Sequence, residues 1–158
     1  MQRRSRRNAL TLLFLLTALA ACLPACRSVY DNAKQDLPAD LDERLDARIR
    51  SARDAAEVGL DALNDPPSAD RAEAAGWDLA KATDSIGDVL ERMPKRQPDA
   101  TALHRNMQRA SKALDSAVDQ LAGSSPSRAT ESVKRAQGSL RAAIAAADEF
   151  LKANAPAP

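Results

Sequence analysis

The sequence predicts an all-α protein: an up-down-up-down four-helix bundle behind a signal peptide and a short tether. Three observations carry that expectation. Apolar residues recur at steps of three and four through four segments of similar length, the period that lines one face of an α-helix. Nearly all prolines and one glycine fall between these segments, so they punctuate the chain instead of interrupting it. No β-rich run of alternating apolar and polar residues competes with them. Links of about three to five residues between helices of about 25 residues favour antiparallel neighbours.

The first helix is expected over about 37–63, with Leu41, Leu45, Ile49, Ala52, Ala56, Gly59 and Leu63 on its inner face. Pro38 is admissible there because an amide in the first turn has no helical partner to lose. Asn64-Asp65-Pro66-Pro67 ends this helix, and Ser68 is the expected N-cap of the next, since a serine oxygen can accept from a first-turn amide. The second helix, about 69–93, carries Ala72, Ala75, Leu79, Ala82, Ile86, Val89 and Met93, and stops at Pro94. Asp99 is the expected cap of a third, striped by Ala100, Leu103, Met107, Ala110, Leu114, Ala117 and Leu121, with Gly123 as its stop. Ser125-Pro126 opens a fourth, with Ala129, Val133, Ala136, Leu140, Ala143, Ala147 and either Phe150 or Leu151 facing inward. Residues 37–153 thus form the expected bundle, and 154–158 a disordered Ala-Pro tail.

Alanine dominates these stripes, so the helices have to approach closely to gain dispersion contact. Gly59 on the inner face suits that need, and such a core leaves little room for a large internal ligand cavity. On the outer faces, acid-before-base pairs one turn apart (Asp40/Arg44, Asp46/Arg50, Asp88/Arg92, Glu131/Arg135) are expected to add a few tenths of a kcal/mol each.

Ahead of the bundle lies an export signal. Arg3, Arg4, Arg6 and Arg7 precede an apolar run of about a dozen residues and the box Leu19-Ala20-Ala21-Cys22, the layout of a lipoprotein signal peptide over 1–21. The run is well short of the roughly 20 residues that a membrane-spanning helix needs. Cys22 is therefore the expected site of lipidation by fatty acids such as palmitate, and 22–36 a flexible tether. A second box, Leu23-Pro24-Ala25-Cys26, makes Cys26 the alternative site, although Pro24 suits poorly the extended strand that a peptidase grips. Leu23 after Cys22, where an aspartate could stand, accords with an outer membrane location facing the periplasm.

Removal of the signal takes away four arginines and no acids, leaving 19 basic against 22 acidic residues, a net charge of −3. A nucleic-acid binder needs a basic excess on one face, so none is expected as a partner. Both cysteines sit at the export boundary, so no internal disulfide can staple the bundle.

Catalytic and metal chemistry finds no foothold. A di-iron bundle needs Glu-x-x-His on two helices, whereas His104 is the single histidine and has no glutamate three residues before it. Haem attachment through Cys-x-x-Cys-His, a serine nucleophile elbow and a glycine-rich phosphate loop are all missing. Neither an enzyme nor a cofactor is expected, and His104 reads as a residue at the edge of the bundle.

Two surface features stand out. Trp77, the sole tryptophan, points about 160° away from Leu79 at 100° per residue, which suggests a contact with a partner. The competing arrangement lays its ring along its own helix between Glu73 and Lys81, with a cation–π contribution from the lysine. The second feature is the basic turn Arg92, Lys95 and Arg96, reinforced by Arg105 and Arg109. In an up-down bundle tethered at its N-terminus this turn lies at the lipid end, where each cation facing an anionic headgroup is worth about 1 kcal/mol. Ordinary solvated turn composition is the competing explanation.

Three strings, Cys26-Arg27-Ser28-Val29-Tyr30, Arg48-Ile49-Arg50-Ser51-Ala52-Arg53-Asp54-Ala55-Ala56-Glu57 and Ile144-Ala145-Ala146-Ala147-Asp148-Glu149-Phe150-Leu151, resemble a proteobacterial family of outer-envelope lipoproteins defined only as a domain of unknown function. The resemblance implies an envelope location and helical character, aligns the lipidated cysteine with Cys26, and brings no functional residues. The members of that family are longer. The functional expectation is a lipid-anchored, periplasm-facing helical lipoprotein that acts by contact with an envelope protein or the envelope itself, without catalysis. The alternative is a ligand-binding or sensor bundle with a small site between helices.

Overall fold

The computed structural model describes residues 37–93, 97–123 and 125–155, with side chains from residue 41 onward. The signal, the tether, Cys22 and Cys26, and the turn residues Lys95 and Arg96 lie outside the described residues. Four helices make up nearly all of what is described: α1 (Leu37–Ala62), α2 (Ala69–Arg92), α3 (Pro98–Ala122) and α4 (Pro126–Ala153). They are 26, 24, 25 and 28 residues long, and the described residues contain no strand. The protein is an all-α four-helix bundle.

The inner faces are those that the apolar period picks out. Leu45, Ile49, Leu63, Leu79, Ile86, Met107, Leu114 and Leu140 are among the largest fully buried side chains, set among alanines from every helix. At Gly59 side chains of the other three helices come together. A methyl group added there would lie 3.1 Å from Leu114 Cδ2 of α3, 3.6 Å from Ala75 Cβ of α2 and 3.6 Å from Leu140 Cδ1 of α4. The glycine lets α1 seat its backbone against branched side chains, which gives an alanine-rich core its dispersion contact.

The buried faces are broader than single stripes. Gly76, Thr83 and Leu90 on α2, Ser111 on α3, and Ala55 and Ala62 on α1 are buried as well. A helix with two neighbours has a buried wedge wider than one row of residues. At the helix ends the stripes loosen, leaving Met93, Leu121, Ala129 and Val133 half-buried. Phe150 takes the inner position at the end of α4 and Leu151 stays half-exposed. The buried Thr83 hydroxyl donates to the Leu79 carbonyl at 2.7 Å, so it costs the core no unpaired donor.

Ser68 caps α2 as expected, its hydroxyl accepting from Arg71 N at 3.4 Å. Asp99 does not cap α3. The N-cap is Gln97, two residues earlier, and the helix begins at Pro98; the fixed φ of proline already matches the first helical position. Asp99 instead places its charge in that turn, where it complements the positive end of the helix dipole. Gly123 closes α3 with φ −87° and ψ 138°, its N–H donating to Asp119 O at 3.0 Å. The stop therefore uses no left-handed freedom. Asn154, expected in the tail, instead caps α4, its side chain donating to Phe150 O at 3.0 Å.

Of the anticipated surface pairs, Glu131–Arg135 forms at 3.1 Å. Asp46–Arg50 and Asp88–Arg92 do not close to ion-pair distance among the described residues. A different network crosses between helices. Arg53 of α1 donates its Nε to Asp148 of α4 and its Nη2 to Glu57 at 2.9 Å, while Nη1 reaches Asp54 at 3.4 Å. A little further along, Gln137 of α4 donates to the Leu63 carbonyl at 2.9 Å, tying the α1–α2 link to the bundle.

Candidate functional site

Trp77 lies on the outer side of α2 because its neighbours Gly76 and Leu79 occupy the inner side. It is 74% exposed, ahead of Val58 at 53%, the other large hydrophobic residue left in solvent among the described residues. Most of the ring surface therefore meets water and little of it is covered by the bundle. The indole stands at the rim of a groove of about 360 Å³ between α2 and α3. Glu73, Gly76 and Ala80 line it from α2, and Asp115, Val118 and Asp119 from α3.

Small residues help line the groove. A methyl group on Gly76 would make ordinary van der Waals contact with Asp115 Oδ1 at 3.5 Å and Leu114 Cδ2 at 3.7 Å, so the Asp115 carboxylate lies directly across from the α2 backbone. Partial loss of water around that carboxylate, and then the negative charge of Asp119 one turn away, raise the Asp115 pKa above the ordinary aspartate value. Glu73, Asp115 and Asp119 form no ion pair among the described residues. The result is an apolar ring face bordered by three uncompensated carboxylates, an environment that attracts a cation. It offers no nucleophile.

The sequence pointed to Trp77, named Glu73 only as its neighbour one turn away, and missed Asp115, Asp119 and Gly76. No local signal singles them out, since like-charged residues one turn apart also occur at Asp42/Asp46, Asp84/Asp88 and Arg105/Arg109.

The basic candidates are only partly brought together. Arg92 is exposed in the last turn of α2, and Arg105 and Arg109 are exposed one turn apart on α3. Their chemistry is that of a solvated cationic strip. His104 packs elsewhere, its Nε2 falling 3.0 Å from a methyl group added at Gly87, with Gln108 Nε2 at 3.5 Å. It fills the α2–α3 seam at the point where a second glycine makes room.

A larger groove of about 680 Å³ runs between α1 and α2, floored by Ala55, Ala75 and Ala82 and edged by Val58. Its rim mixes Arg48, Arg50 and Lys81 with Asp54 and Asp78, so it presents no single sign of charge. Among the described residues no group of three or more His, Cys, Asp or Glu side chains is placed to hold a metal ion. None of the described helices is long and apolar enough to cross a membrane.

No protein-family model, curated protein or solved structure matches this chain.

Proposed function

We propose that this chain is a lipid-anchored helical lipoprotein of the cell envelope, facing the periplasm from the outer membrane, which acts by protein or envelope contact without catalysis. The observation that carries the reading is the arginine-rich start, short apolar run and Leu19-Ala20-Ala21-Cys22 box, which together direct export and acylation. Cys22 is the anchor in this reading, with Cys26 as the alternative. The folded part is consistent with a contact role: its interior is filled by packed alanine and leucine, and its sole tryptophan faces solvent. Two classes of contact follow. Trp77 serves a protein partner, while Arg92, Lys95, Arg96, Arg105 and Arg109 serve anionic headgroups.

Metabolic labelling with a radioactive fatty acid tests the anchor. Label should appear on the wild-type chain and disappear from Cys22→Ser or, if the second box is used, from Cys26→Ser. Retention of label by the double variant overturns the reading. Crosslinking in intact cells should then capture an envelope protein. Saturable binding of a small molecule, with no protein captured, would favour the sensor alternative.

A further inference from the structure

We propose that the groove between α2 and α3 docks a basic segment of a partner protein, laying an arginine or lysine side chain on the Trp77 indole and holding its charge with Asp115, Asp119 and Glu73. This rests on the contact reading above and names the chemistry of the partner.

Two features of the groove carry the assignment. The first is the aromatic ring: Trp77 keeps 74% of its surface in water on a chain whose other large apolar side chains, Val58 apart, are buried or half-buried among the described residues. A tryptophan face is the strongest of the aromatic acceptors for a cation. The second is charge. Each titratable group lining the groove is a carboxylate, and no internal cation neutralises any of them among the described residues. At the α1–α4 seam, by contrast, Arg53 closes on Asp148. A guanidinium has the planar shape to stack on the indole while its N–H groups donate sideways to carboxylate oxygens.

Size and symmetry narrow the occupant. A groove of about 360 Å³ lies at the low end for ligand sites, roughly 300–1,000 Å³, and it is open along its length, which suits one or two long side chains of a docked segment. A second copy meeting this one about a two-fold axis would set the same carboxylates face to face, and like charges there oppose association.

Trp77 is also the reporter, because selective excitation reads this one residue. The full-length chain in detergent micelles is titrated with an octa-arginine peptide, and with an octa-glutamate peptide as control. Octa-arginine should give a saturable change in tryptophan emission that weakens with added salt, and octa-glutamate none. Asp115→Asn with Asp119→Asn should weaken the arginine peptide about tenfold, since charge-assisted hydrogen bonds are lost. Glu73→Gln should weaken it less, and Asp42→Asn with Glu43→Gln, which removes the same charge elsewhere, should leave it unchanged. Trp77→Ala should lose the affinity by calorimetry while melting like wild type. The proposal is overturned by the lack of a saturable change, by equal weakening in the Asp42/Glu43 control, or by a self-associated dimer that Trp77→Ala dissolves. Failure here with fatty-acid label intact removes only the groove assignment; loss of label with peptide binding intact removes the anchor and spares the groove.

Discussion

The seam between α1 and α4 and the seam between α2 and α3 treat charge in opposite ways. At the first, Arg53 reaches across to Asp148 while also holding Glu57 and Asp54 on its own helix. At the second, Asp115 and Asp119 face Glu73 and Trp77, and no cation of the described residues lines the groove between them. One core side chain of α3 serves both α1 and α2, because Leu114 lies against Gly59 of α1 and also beside Gly76 of α2. The difference between the seams comes from which side chains stand at the rim. One seam satisfies its charges within the fold, and the other leaves them for solvent or a partner.

The largest expected effect is in the core. Leu114→Asp, or Leu79→Asp, buries an unpaired carboxylate at a position with no solvent access and should cost several kcal/mol in urea unfolding followed by circular dichroism. Near-wild-type unfolding of both variants would break the assignment of inner faces. Next comes Gly59→Ile, which drives a branched chain into Leu114, Ala75 and Leu140. It should cost about 1–3 kcal/mol as an overpacked contact, and a gain in stability would show that α1 can retreat without loss.

The charged rims give smaller effects. Arg53 and Asp148 keep 29% and 52% of their side-chain surface exposed, so a double-mutant cycle with Arg53→Ala and Asp148→Ala should yield a coupling of about 0.2–1 kcal/mol, falling with salt. The smallest effect has the opposite sign. Since the Asp115 pKa is raised by partial burial and then by Asp119, its charged form is less favourable in the folded chain than in the unfolded one. Its contribution to stability is full below the ordinary carboxylate range and is lost as pH rises through the raised value. Asp115→Asn should therefore melt slightly higher than wild type at neutral pH, and that advantage should vanish in acid. A variant that melts lower at neutral pH would mean that the carboxylate is held by an attraction and not left unpaired.

How much of this was legible beforehand differs by element. The stripe of α2 could be read from Ala72 to Val89 because every apolar step repeats the helical period, and Ser68 because a serine before such a stripe has a local amide to accept from. The start of α3 was misjudged by weighing Asp99 as a cap over the preference of Pro98 for the first helical position. Trp77 was recognised as outward-facing from rotation alone. Its surroundings on α3 were not, since nothing local to residue 77 reports which side chains of residues 115–119 lie across the groove.

The amino-acid sequence by itself determined four helices, their inner faces and most of their ends, because backbone hydrogen bonds four residues apart and a rotation of 100° per residue are local properties. Only the tertiary structure decided that Arg53 would meet Asp148, 95 residues away, and that Asp115 would lie across from Gly76 beside an exposed indole. Those juxtapositions depend on how closely two helices approach and how each is turned about its axis. Gly59 and Gly87 set the approach by the side chains they lack, and the buried leucines set the rotation by having to fill the interior at crystal-like density.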